Sequence, residues 1–239
     1  QQDEPQVYSW YVDEILRKSA EIMGLTADEI ISGGFLIYTS FDPQLQAIAD
    51  RVYEDKSLFP ANASDGTPIQ SAMAVVDTHT GAVLAMIGGR DYTTRRGLNR
   101  ATQMRRQPGS ALKPLAVYGP ALELGYTTAS VLLDEKTSFG SYTPRNAGDR
   151  YYGLVTMRTA VRNSLNTTAV RLLEEIGMDA SVNYLRKLGI PVQDSDRNLS
   201  LALGSMTYGV TPVELAAAYV PYANGGTFYS PHCVNRICS

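Results

Sequence analysis

The sequence predicts a mixed α+β fold, in which a helix and a strand lead into a β-hairpin and the second half is mainly helical. Three patterns carry that prediction. Apolar residues recur near helical spacing at the start, at Val7, Tyr11, Ile15 and Ile22, and Gly24 follows as a stop. Two β-rich runs, Ser71 to Val76 and Ala82 to Ile87, flank Asp77-Thr78-His79-Thr80-Gly81, the form of a hairpin with a loop of several residues. From Thr156 onward, helical stretches follow one another with short breaks.

In chain order, Tyr8 to Met23 reads as a helix, and Thr26 to Glu29 has capping-box form before a short helical piece. After the break at Ser32-Gly33-Gly34, Phe35 to Phe41 is aromatic and β-branched and reads as a strand. Asp42-Pro43 places a capping residue before a proline at the first helical position, opening a helix through about Tyr53. Asn62 to Pro68 is a polar loop, and the hairpin ends at Gly88-Gly89. Arg90 to Gln107 is polar and arginine-rich; Arg95, Arg96, Arg100, Arg105 and Arg106 could bind an anion, but solvated charge is the favoured reading.

A loop then turns into a helix at Arg105 to Pro114, and Gly119-Pro120 should kink or end that helix near Ala116. Ser138 to Tyr152 looks irregular. Helices are expected at Thr156 to Asn163, Thr167 to Ile176, Asp179 to Leu188 and Thr211 to Tyr222, the last with a capping box and proline at its first position. Asn224-Gly225-Gly226 closes it.

Composition narrows function only a little. Across 239 residues, 44% are hydrophobic and 19% charged, enough apolar material for a buried core. A net charge of -3 gives no footprint for nucleic acid. No apolar run approaches the ~20 residues that cross a bilayer, and no signal segment opens the chain, so the sequence reads as soluble with any anchor outside it. Cys233 and Cys238 leave both a disulfide and two free thiols open.

Two local patterns carry chemistry. Ser110 and Lys113 are three apart, so on a helix they share a face and the amine could reach the hydroxyl. A helix start also offers unpaired N–H groups and the positive dipole end, which favour a developing alkoxide and disfavour a protonated lysine. The plainer alternative is that Ser110 caps the helix and Lys113 is solvated. In Ser164-Leu165-Asn166, a hydroxyl and a carboxamide at a helix interruption can project into one cleft, where one relays a proton and the other holds a substrate amide. The alternative there is that Ser164 ends one helix and Asn166 caps the next.

In this order and separation, the two motifs resemble those of the penicillin-binding proteins and serine β-lactamases. The resemblance extends over Gly34 to Gln46, Gly81 to Asp91, Asn99 to Thr102, Arg106 to Ser110, Leu201 to Gly204 and Gly209 to Pro212, which are similar to the transpeptidase domain of bifunctional, class A penicillin-binding proteins. It implies a β-lactamase/transpeptidase-like α+β fold, with a helical half and a mainly antiparallel sheet packed by helices, whose C-terminal strands are expected outside this chain. Residues 1–34 would be a linker or helical lead-in, and 35–239 the N-terminal and central part of the domain.

The implied activity is a D,D-transpeptidase. Ser110 would attack the penultimate D-alanine carbonyl of a peptidoglycan stem peptide, with Lys113 as its base, Ser164 passing the proton toward the leaving group and Asn166 orienting the substrate. β-Lactams would acylate the same serine; no cofactor or metal is implied. The third family motif, Lys-Thr/Ser-Gly on a strand, is missing: Lys136-Thr137-Ser138 ends in serine and falls between the first two motifs instead of after them. That strand supplies an oxyanion-hole donor, and losing one such donor costs about 3 kcal/mol of transition-state stabilisation. The chain alone is therefore expected to be inactive or weak, with the third motif on a following segment or another chain.

A glycosyltransferase domain is expected N-terminal in the parent protein, membrane-anchored at the extracytoplasmic face of a bacterial cell. In a bacterial family the sequons at Asn62, Asn166 and Asn198 carry no weight. Two alternatives stay open: a D,D-carboxypeptidase or serine β-lactamase, in which water replaces the acceptor amine, and a non-catalytic penicillin-binding scaffold or sensor domain.

Overall fold

The computed structural model describes residues 9–238. In chain order the elements are α1 (Trp10–Met23), α2 (Ala27–Ser32), β1 (Leu36–Thr39), α3 (Pro43–Glu54), β2 (Met73–Val76), β3 (Val83–Ile87), α4 (Gly119–Glu123) and β4 (Val131–Asp134). Then come β5 (Gly153–Thr156), α5 (Met157–Arg162), α6 (Asn166–Ile176), α7 (Met178–Lys187), α8 (Pro212–Ala223) and β6 (Val234–Cys238). They form two compact units, one made of residues up to Arg105 and from Thr211 on, the other of Arg106–Val210.

In the first unit, the Ser9 hydroxyl caps α1 by accepting the Val12 N–H, and Gly24 ends it in the left-handed region at φ 67°. Tyr8, with which the expected helix begins, and Val7 of its apolar pattern lie outside the described residues. The caps expected at Thr26, Asp42 and Thr211 are all formed, each by a side-chain oxygen accepting an amide two or three residues on. Strands β2 and β3 pair antiparallel from Met73 opposite Ile87, with a bulge between Val75 and Val76. Their turn is tied by Asp77, which accepts from the His79 amide and from the Thr80 hydroxyl and amide and is thereby held below the usual carboxylate range.

β6 pairs antiparallel with β1, Leu36 opposite Cys238, and the chain just before it lies along β3, with the Val83 N–H donating to the His232 carbonyl at 2.7 Å. No clear β pattern marks β6 in the sequence: Asn235 and Arg236 interrupt its apolar residues. Tyr11, Ile15, Val83, Met86, Ala101, Val213 and Cys233 form one core cluster of this unit, and the Tyr11 hydroxyl donates to the Val83 carbonyl at 2.6 Å. Both cysteines are free thiols.

Gln46 finishes the edge of β3. Its carboxamide donates to the Met86 carbonyl at 3.1 Å and accepts the Met86 N–H at 3.0 Å, so a buried side chain from α3 does what a further strand would do.

In the second unit, the helix after Gly109 is built in three registers: a tight turn over Gly109–Leu112, a wide turn over Pro114–Tyr118, and α4. It does not end near Ala116; of the two outcomes expected there, a kink or an end, the structure shows a change of register with the helix continuing. The Gly119 N–H reaches back to the Pro114 carbonyl, five residues away, and this widening places Pro120 in the first turn of α4, where a missing N–H needs no partner. Leu112, Leu115, Ala116 and Val117 of this composite helix are fully buried.

Strands β4 and β5 pair antiparallel from Val131 opposite Thr156 to Asp134 opposite Gly153, and bracket the irregular excursion. Lys136-Thr137-Ser138 lies in that excursion, outside any strand. Helices α5, α6 and α7 follow as expected.

Replacing Gln46 with methionine leaves a buried N–H and a buried carbonyl without partners. It is expected to lower unfolding free energy by about 2–4 kcal/mol in chemical denaturation, whereas a surface change on the same helix, such as Arg51→Lys, should stay within about 0.5 kcal/mol.

Candidate active site

The stretch leading to Ser110 is braced backbone to backbone. Arg106 and Val210 exchange both hydrogen bonds, at 3.0 and 2.9 Å, and the Gln107 carboxamide donates to the Met206 carbonyl at 3.3 Å. Two glycines make this approach close. A Cβ on Gly204 would stand 1.9 Å from the Gly109 carbonyl oxygen, and one on Gly209 would stand 2.2 Å from that of Arg106. Gly109 itself turns the chain at φ 60°. Pro108 occupies the cap position of the following turn with no side-chain cap, so Ser110 is not a capping residue; its side chain is exposed one residue inside.

Lys113 is packed inward. It is only 2% exposed, and its Nζ makes three hydrogen bonds: to the Ser164 carbonyl at 2.6 Å, the Ser164 hydroxyl at 3.0 Å and Asn166 Oδ1 at 2.6 Å. Ser110 is not among the partners of the amine. The structure thus brings Lys113, Ser164 and Asn166 together and leaves Ser110 one turn away, where its carbonyl accepts the Lys113 backbone N–H. Burial pulls the amine down from an ordinary lysine value of 10.5 to about 8.

Ser164 presents two oxygens to one amine because of its backbone. Helix α5 ends with the Ser164 N–H on the Val161 carbonyl and the Leu165 N–H on the Ala160 carbonyl, a Schellman ending whose left-handed position normally belongs to glycine. Here it is serine at φ 51°, a conformation that costs an L-residue about 1–2 kcal/mol. Asn166 does not cap α6. Leu165 holds the cap position, Asn166 is the first helical residue, and its Nδ2 donates to the Arg145 carbonyl at 2.7 Å. That bond fixes which end of the carboxamide faces Lys113. Arg145 and its neighbour Asn146 belong to the stretch that reads as irregular, and nothing in their spacing marks them as partners of the 164–166 turn.

An amine that meets three acceptors has a place for each ammonium hydrogen. Once it loses one, it carries a lone pair within a few ångströms of a hydroxyl, the arrangement a proton relay requires. Among the described residues, no three His, Cys, Asp or Glu side chains converge as a metal site would need.

A family model described as "Penicillin binding protein transpeptidase domain" matches residues 71–239. The chain belongs to the penicillin-binding protein transpeptidase family. It is 38% identical over 237 residues to penicillin-binding protein 1F of Bacillus subtilis and 37% identical over 236 residues to penicillin-binding protein 2a of Streptococcus pneumoniae. These alignments take in 99% and 96% of the chain but 32% of each relative, so the chain spans about a third of their length.

Among solved structures, penicillin-binding protein 1A from Haemophilus influenzae matches with a TM-score of 0.64 at 31% identity, covering 74% of this chain and 28% of that one. PonA1 from Mycobacterium tuberculosis, also solved in complex with penicillin V, matches with a TM-score of 0.80 at 24% identity, covering 98% of this chain. Its likeness speaks to the fold, and the transpeptidase domains of class A penicillin-binding proteins are the setting for the residues above.

Two outcomes test the geometry of this penicillin-binding domain. Gly204→Ala should lower thermal stability by more than about 2 kcal/mol, because backbone and not a flexible side chain meets the new Cβ, while Gly109→Ala, with open space around it, should cost only about 1 kcal/mol. For Lys113, the unfolded chain keeps its proton up to 10.5 while the folded one releases it near 8. Wild-type stability measured relative to Lys113→Met should therefore rise with pH between those values, by up to about 3 kcal/mol, and a flat difference would contradict the burial of a titrating amine.

Proposed function

We propose that this domain is the acylating part of a peptidoglycan D,D-transpeptidase, with Ser110 as nucleophile, Lys113 as its base, Ser164 as proton relay and Asn166 as substrate-orienting residue. The observation that carries this reading is the buried amine of Lys113, lowered toward neutrality by burial and bonded to Ser164 and Asn166, on the helical turn that exposes Ser110. Ser110 Oγ attacks the penultimate D-alanine carbonyl carbon of a stem peptide and gives its proton to neutral Lys113. The tetrahedral oxyanion collapses, the C–N bond breaks, and the departing D-alanine amine takes a proton passed through the Ser164 hydroxyl. An ester on Ser110 remains until an amine of a neighbouring stem peptide attacks it, forming the cross-link and returning the proton to Ser110. With a β-lactam, the C–N bond that breaks lies in a ring, so the leaving nitrogen stays attached and the ester persists.

The same reading places the Lys-Thr/Ser-Gly strand on a further segment, residues 1–34 as a lead-in to a domain at 35–239, and the parent protein at the extracytoplasmic face of a bacterial membrane beside a glycosyltransferase domain. If water rather than an amine accepts the acyl group, the domain is a D,D-carboxypeptidase or β-lactamase; a non-catalytic sensor or scaffold would keep the fold without turnover.

The test is intact mass spectrometry with a β-lactam, on this chain and on a version extended through the third motif. A stable adduct is expected on Ser110 of the extended protein and none in Ser110→Ala; an extended protein that gains no mass sinks the enzyme reading, and an adduct that clears quickly in water transfers it to a β-lactamase. Lys113→Ala should slow acylation by about 10²–10⁴. Because the base must be neutral, the wild-type acylation rate should climb as pH rises through about 8 and then level off.

A further inference from the structure

The turn that receives Lys113 is held by its own sequence on the α5 side only. Helix α6 starts with Leu165 in the cap position, and a leucine side chain offers its first amides no acceptor. The acceptor comes from the β4–β5 excursion. Asn146 Oδ1 takes the Asn166 N–H at 2.7 Å and the Thr167 N–H at 3.2 Å. The same carboxamide is fixed from behind, donating through Nδ2 to Asp134 Oδ1 at 2.7 Å and to the Arg150 carbonyl at 2.9 Å. Asp134 is fully buried at the end of β4 and also accepts the Tyr152 N–H at 2.9 Å and the Thr167 hydroxyl.

Adjacent residues thus hold both parts of Asn166: Asn146 its backbone and the Arg145 carbonyl its side chain. Loss of the Asn146 cap frees the first turn of α6, and with it the direction of Asn166 Oδ1 and of the strained Ser164, the groups to which Lys113 is bonded.

We infer that Asn146 is a positioning residue for acylation, capping α6 from outside so that Asn166 and Ser164 meet Lys113 in one arrangement. This rests on the reading of Ser110 as nucleophile and Lys113 as its base.

The test uses the protein of the β-lactam experiment, with the saturating acylation rate k2, the fraction of molecules labelled and amide hydrogen exchange read together. In Asn146→Ala, protection of the Asn166 and Thr167 amides should fall about tenfold or more beyond any change in α7, and k2 should fall ten- to a hundredfold. A role in folding alone would lower the labelled fraction and leave k2 of the folded molecules unchanged.

Asn146→Asp is the second variant. In its protonated form the new carboxyl offers the same acceptor to the two amides and an O–H to Asp134, since neighbouring carboxyls share a proton. At about pH 6 its k2 should stay within about threefold of wild type at that pH, and the ratio should fall as pH rises and the proton is lost.

A folded Asn146→Ala variant with k2 within about twofold of wild type overturns the proposal. So does unchanged protection at residues 166 and 167, or a ratio for Asn146→Asp that ignores pH. Where Asn146→Ala does not fold, Asn146→Asp decides; failure of both assigns Asn146 to folding and also overturns it. If the wild type takes no acyl group, the reading of Ser110 fails, while the amide protection still decides whether Asn146 holds the turn.

Discussion

An ammonium group withdrawn from water must be given acceptors or must shed its proton, and the second unit is arranged around that requirement at Lys113. Burial alone would push the amine toward neutrality; three oxygens at the 164–166 turn offset part of that cost without supplying a counter-charge. Burial leaves an amine at about 8, able to exist in either form near neutral pH. A carboxylate in place of Asn166 would hold the proton more firmly and make a poorer base. A neutral acceptor set leaves the amine without a charged partner to lock its proton in place.

The second constraint is on backbone. The strand-like contact of Arg106 with Val210, and the bare approaches at Gly204 and Gly209, fix the turn before Ser110 without using its side chain. The nucleophile candidate therefore stands on a rigid base with its hydroxyl exposed, while the lysine one turn later is packed inward. Fixed geometry of this kind is worth more to a reaction than any single contact, since reorganisation is avoided when charge develops.

The parts of this arrangement that were legible in the sequence are those whose partners lie within a few residues. Thr26 with Glu29, Asp42 with Pro43 and Thr211 with Glu214 announce helix starts because a cap and its recipient are neighbours. The spacing of Ser110 and Lys113 was equally readable, but not the direction of the lysine: on a helix it suggests the serine, whereas a long flexible side chain can cross to another turn. Asn166 was ambiguous for a chemical reason, because asparagine serves equally as a cap and as an acceptor; its true cap, Asn146, sits in a segment without periodicity. Strands β4 and β5 carry no hairpin turn, and β6 finds β1 only across nearly the whole chain. Pro120 was visible as a breaker, but not the wide turn ahead of it that absorbs the break.

The Arg106–Val210 bridge also bears on how such a chain can fold. It closes the second unit at its two ends, and covalent continuity then leaves Arg105 and Thr211 side by side, where Arg105 and Glu214 form an ion pair. The first unit is split in sequence, with β1 and α3 before the insertion and α8 and β6 after it. Its pairing of β1 with β6 is among the most remote in the chain and would ordinarily require closing a very long loop. Once the inserted unit is sealed, the effective separation shrinks to the length of the first unit's own segments. An inserted unit that is folded, with its ends joined by this bridge, turns a discontinuous domain into a nearly continuous one.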